Sequence, residues 1–213
     1  KPSSAASDVY KRQAQSINAA NPKIPLIAIG AVIAIIAALV FIGGIKRIAS
    51  FAQLVVPFMA LLYIVFSIIT LVKFRENLAQ SFKLIFQAAF TSKALAGGAL
   101  GYGIKKAIRY GVARGLFSNE AGMGSTPHAH ATANVAHPVE QGLTAMVGVF
   151  IDTIVICSAT VLMILVTDSM SSGLDGALLT QKAFEIGFGS FGKILLAISL
   201  TFFAFTTIIG WYY

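Results

Sequence analysis

The sequence predicts an all-α integral membrane protein, on three observations. Of its 213 residues, 57% are hydrophobic and only 11% charged, with a mean hydropathy of +0.82. A water-soluble domain carries about 25% charged residues. Uncharged runs of about 20 residues, the length of one bilayer crossing, recur along the chain. The loops between them are short and leave no room for a sizeable aqueous domain. The 16 basic against 8 acidic side chains give +8. In a soluble protein that excess would point to nucleic acid. In a membrane protein it marks loops facing anionic lipid, so the expected partner is the lipid bilayer, with no nucleic acid. The one cysteine, Cys157, lies in an apolar run, so the chain can build neither a disulfide framework nor a thiolate metal cluster.

The chain starts at Lys1 and stops at Trp211-Tyr212-Tyr213 inside a hydrophobic run, so both ends read as truncated. Residues 1–13 show no helical or alternating pattern, and Asp8 to Gln13 resembles the translation of a sequencing-library adapter. They read as a disordered scar and are set aside. Residues 14–213 remain as a partial membrane domain, with spans at about 24–45, 48–72, 95–136 (broken), 139–167 and 194–213.

The first span, Ile24 to Ile45, is uncharged, with Pro25 near its first turn. Gly43-Gly44 and Lys46-Arg47 form a tight basic turn into the second, Ile48 to Val72, and the positive-inside bias places that turn in the cytoplasm. Lys73 to Lys93 interleaves charge with Leu84, Ile85 and Phe86 and reads as an amphipathic interfacial helix. Alternation puts it outside, where its lysines run against the bias. Gln141 to Thr167 is a span with one acid, Asp152, near its middle. A polar Gly/Ser-rich loop with Asp168, Asp175, Lys182 and Glu185 follows, and Lys193 introduces the last span.

Ala94 to Pro138 behaves differently. Ala94 to Phe117 is helix-compatible, but Gly122 and Gly124 then weaken the helix, Ser125 and Thr126 suit N-caps, and Pro127 suits a first helical position. A further short run, Ala129 to Ala136, is near half a bilayer long. The segment reads as a broken span, tolerated in lipid only where its freed backbone groups face protein, water or a solute. Amides near Thr126 would suit a carboxylate, and carbonyls around Ser118 to Gly122 a cation or ammonium group. An interrupted hydrophobic segment is the sequence pointer to a secondary-transporter site, with a surface or re-entrant loop as the alternative.

Asp152 is costly in mid-span and so faces the bundle interior, contacting a cation, pairing with a base such as Arg114, or bonding helix ends. Thr206-Thr207 offer adjacent hydroxyls, hard ligands for a small cation, although such threonines more often bond back to the preceding turn. His128, His130 and His137 lack the geometry of a tetrahedral metal site, and the Gly-x-Gly pairs lack dinucleotide spacing. No nucleophile–base constellation supports an enzyme.

Arg114-Gly115-Leu116-Phe117-Ser118-Asn119-Glu120-Ala121-Gly122-Met123-Gly124-Ser125 closely resembles the signature of the sodium:alanine (alanine or glycine:cation) symporter family. The likeness continues in Gly43–Ile48, Val56–Ala60, His137–Leu143, Gly148–Thr153 and Phe203–Trp211. The resemblance implies a leucine-transporter-type fold of two inverted five-helix repeats, within the amino acid–polyamine–organocation superfamily. This chain would be a fragment of it that includes the broken sixth core helix. It further implies that Phe117, Ser118, Asn119, Gly122, Met123, Gly124 and Trp211 border the substrate, and that Thr206 and Thr207, with Asp152 at a second position, bind sodium. The implied function is sodium-coupled symport of a small neutral amino acid, alanine or glycine, by alternating access in a multi-pass inner (plasma) membrane protein. The alternatives are a proton-coupled or other-solute carrier on the same fold, and an ion channel or structural membrane subunit.

Overall fold

A computed structural model describes residues 2–90, 98–122 and 124–212. Among these, all regular structure is helical. Three helices, Arg47–Lys73, Pro138–Val166 and Ser190–Ile208, are long and apolar enough to cross a membrane, and Leu26–Val40 is a shorter apolar one. The chain forms two compact units, Lys1–Lys73 with Met163–Tyr213, and Phe74–Leu162.

The first unit contains α1 (Pro2–Ala20), α2 (Leu26–Ile42), α3 (Gly44–Lys73), α9 (Gly176–Phe188) and α10 (Ser190–Tyr212). Helix α2 is apolar on every side, so only packing distinguishes its faces. Ile29, Ile33, Ala37 and Val40 recur at helical spacing and are buried with Ile48 and Phe205, while Ile27, Ile35 and Ile42 stay exposed. Phe51 meets Phe205 edge-on, with ring centres 5.5 Å apart. A second cluster joins Tyr63 and Phe66 of α3 to Phe184 and Phe188 of α9. Glycine also lets α10 approach α9: a Cβ on Gly192 would strike the Phe184 carbonyl oxygen. At the end of α9, Gly189 takes φ 66°, and Lys73 Nζ donates to the Gly187 carbonyl at 2.7 Å. A cation thereby meets the negative end of the helix.

Three expectations differ here. Residues 2–13, set aside as disordered, lie in α1. The fully buried side chains of α1 are polar, Gln13 and Ser16 at 1% and 0% exposure, and among its described residues only Ala14 and Ile17 pack against the apolar core, which blurs its hydrophobic period. The amide of Gln13 donates to the Thr201 carbonyl at 3.0 Å, and that of Gln181 to the Ser16 carbonyl at 3.2 Å. The basic turn at Lys46-Arg47 is already the first turn of α3, and the chain reverses instead at Gly43-Gly44, where Gly44 takes φ 67°. The polar loop after Thr167 folds into a 3₁₀ turn at Ser169–Ser172 and then α9, which buries Gln181, Ala183, Phe184 and Gly187.

The second unit begins with a 3₁₀ turn, Arg75–Asn77, and α4 (Leu78–Phe90), where the amphipathic helix was expected. Then come α5 (Gly98–Ser118), α6 (Ser125–His130), α7 (Pro138–Phe150), a π-helical stretch Ile151–Cys157 and the first turn of α8 (Ser158–Val166). His137 caps α7, its Nδ1 accepting from the Val139 amide at 3.2 Å, with Pro138 at the first helical position.

Candidate functional site

The interruption between α5 and α6 follows from local chemistry. The Ala121 amide donates to the Leu116 carbonyl at 2.9 Å and the Glu120 amide to the Phe117 carbonyl at 3.2 Å. That pair of bonds is a Schellman turn, and the residue at its left-handed position is Glu120, at φ 51°. A residue with a Cβ pays about 1–2 kcal/mol there that glycine avoids. Gly122 and Gly124 follow at φ 75° and 86°, which no further helical turn could include. Met123, an expected substrate neighbour, lies outside the described residues.

Helix α6 has six residues. The run Ala129 to Ala136, expected to form the second half-helix, is helical only to His130. Bonds of the tighter kind, from the Thr132 amide to the Ala129 carbonyl and from the Ala133 amide to the His130 carbonyl, close it. The hydroxyl of Thr132 also donates to the Ala129 carbonyl, at 2.9 Å.

Two side chains at the end of α5 engage the π-helical stretch. Ser118 Oγ donates to Asp152 Oδ2 at 2.6 Å, and Thr153 Oγ1 donates to Asn119 Oδ1 at 3.0 Å. Asn119 Nδ2 is in turn fixed on the Gly115 carbonyl at 3.0 Å. The wider π turn lies where Asp152 and Thr153 sit, and such turns recur at functional sites. Asp152 therefore meets a hydroxyl, and among the described residues no ion pair joins it to Arg114. The result is an oxygen-rich group of one carboxylate, two hydroxyls and an amide carbonyl, donors suited to a hard cation. Across the break, Thr126 Oγ1 donates to Glu120 Oε2 at 2.9 Å.

The structure thus brings Ser118, Asn119 and Asp152 together and sets Phe117, Gly122 and Gly124 along the same turn. Phe117 is 43% exposed. Thr206, Thr207 and Trp211 belong to α10, in the other unit. The side chain of Trp211 lies outside the described residues. Thr206 Oγ1 donates to the Phe202 carbonyl at 3.0 Å and Thr207 Oγ1 to the Phe203 carbonyl at 2.9 Å. These back-bonds occupy the hydroxyl protons and do not use the oxygen lone pairs. Sequence reasoning did not single out Thr153, Glu120 or Thr126 as site residues. A usable signal for Thr153 was its place beside Asp152 in an otherwise apolar run, matching the polar pair Ser118-Asn119.

A family model described as the sodium:alanine symporter family matches residues 5–213. The chain is 40% identical to the sodium/alanine symporter AgcS of Methanococcus maripaludis, over 89% of this chain and 41% of that protein. It is 38% identical to the sodium/proton-dependent alanine carrier protein of Bacillus sp. (strain PS3), over 89% of this chain and 45% of that one. It is 43% identical to the probable sodium/glutamine symporter GlnT of Bacillus subtilis, over 85% and 37%. The chain spans about two fifths of the length of the curated relatives it matches.

Proposed function

Because the chain belongs to the sodium:alanine symporter family, a family of transporters and not of enzymes, we propose that it forms part of a sodium-coupled carrier for a small neutral amino acid, alanine or glycine. The carrier works by alternating access on the leucine-transporter-type fold of two inverted repeats and sits as a multi-pass protein in the inner membrane. The observation that carries this reading is the interruption after Ser118 inside the family's signature segment.

A helix that stops in lipid exposes amides and carbonyls that need partners. A zwitterion supplies both kinds, its carboxylate accepting from amides and its ammonium donating to carbonyls. Phe117, Ser118, Asn119, Gly122 and Gly124 border this solute. Glycine at 122 and 124 keeps side chains from shielding the backbone. Sodium is taken by Thr206 and Thr207 and, at a second position, by Asp152 with its neighbouring hydroxyls. Ion binding favours one arrangement of the carrier by the difference in its affinity for the two.

Labelled alanine uptake into proteoliposomes, by the full transporter that carries this chain, tests the proposal. Saturable uptake driven by a sodium gradient is expected, and uptake indifferent to both sodium and proton gradients overturns it. A second reading, proton coupling, is favoured by the sodium/proton-dependent name of the Bacillus relative, and the proton-gradient arm separates the two.

A further inference from the structure

Glu120 belongs to no ligand set assigned above, yet it holds a left-handed backbone position in the break. Its φ of 51° lies where glycine is at ease and a glutamate is not. Among its contacts is the bond its Oε2 accepts from Thr126 Oγ1 at 2.9 Å. The two residues lie on opposite sides of Gly122 and Gly124, both of which take positive φ. Among the described residues nothing lies within 4 Å of where a Cβ would stand on either glycine. The carboxylate–hydroxyl bond bridges the flexible pair from Glu120, just past α5, to Thr126, in the first turn of α6.

We propose that Glu120 is a positioning residue. Its carboxylate, acting through Thr126, fixes the start of α6 against the end of α5 and so sets the spacing of the backbone groups that receive the amino acid. The residue itself does not touch the solute. This rests on the transport reading above and adds to it a residue whose effect is on geometry. When the bond is lost the turn samples more arrangements, of which few present the amides and carbonyls correctly. Apparent affinity falls by the fraction lost, while the turnover of loaded carrier is held.

The test separates backbone from carboxylate. Glu120→Gly keeps the left-handed backbone and removes the acid. Thr126→Val removes the hydroxyl at nearly constant shape, and Thr126→Ser keeps it. Hydrogen exchange over residues 119–130 is expected to quicken in Glu120→Gly and Thr126→Val and to stay near wild type in Thr126→Ser. In the full transporter, the KM for alanine is expected to rise about tenfold in the first two with Vmax changed far less, and the double variant to be no worse than either single one. Unchanged exchange and KM in Glu120→Gly overturn the proposal, as does a fall in Vmax at constant KM. If wild type shows no gradient-driven uptake, the transport reading fails, and the exchange measurement still decides whether the bond holds the turn.

Discussion

Thr153 donates to Asn119 at 3.0 Å one residue along from the 2.6 Å bond between Ser118 and Asp152, so consecutive residues of one segment meet consecutive residues of another. Neighbours on a helix project about 100° apart. Two bonded pairs therefore fix the rotation of the π-helical stretch as well as its distance from the end of α5.

The Asn119–Thr153 pair should be energetically coupled. Thr153→Val is expected to cost about 1 kcal/mol of stability, and Asn119→Ala more, since Asn119 also holds the Gly115 carbonyl. The double variant should cost less than the sum of the two. Thermal unfolding in detergent of the four members of the cycle measures this, and strict additivity would show that the bond contributes nothing.

Asp152→Asn keeps an oxygen to accept from Ser118 but removes the charge. If Asp152 helps to hold sodium, the half-saturating sodium concentration for uptake should rise about tenfold, at the scale of one charge-assisted contact. An unchanged value removes Asp152 from the ion site.

Thr207→Ala deletes an oxygen from α10 whose proton is already committed to the Phe203 carbonyl. The helix should persist, because alanine is the better helix former. Sodium activation of uptake should weaken while circular dichroism stays the same. Intact sodium activation would leave the hydroxyl with only its local back-bond.

Gly192→Ala should damage the first unit. The new methyl would overlap the Phe184 carbonyl oxygen and the Phe188 Cβ, and α9 and α10 would have to part. A loss of about 2 kcal/mol is expected, seen as a lower unfolding midpoint. Gly142→Ala, where nothing lies within 4 Å, serves as the neutral control.

How much could be read in advance depended on whether the information was local. The second span was legible because no charge interrupts Ile48 to Val72, and α3 runs through that whole stretch. The buried stripe of α2 was not, because isoleucine lines both its exposed and its buried side. Helix α9 was hidden by the glycines and serines around it, and only packing reveals that Ala183 and Phe184 turn inward. The interruption after Ser118 was visible from Gly122, Gly124 and Pro127. Its exact stop was not, because the left-handed position carries Glu120 where a glycine would have signalled it. The partner of Asp152 lies 34 residues away at Ser118, a pairing that no local pattern encodes.

The π-helical stretch Ile151–Cys157 already holds the extra residue of a widened turn, so this part of the chain can lose a residue more easily than gain one. Deleting Ile154 would let the coil tighten to the common pitch, and the helix after the cut would keep its rotation about the axis. Cys157, Ser158 and Val161 now share with Phe82 and Ile85 a cavity of about 290 Å³ that also reaches Thr153. After the deletion that wall would keep its direction. One added codon, in contrast, would exceed what the widened turn can absorb and swing the lining of the hollow by about 100° away from the grip on Asn119.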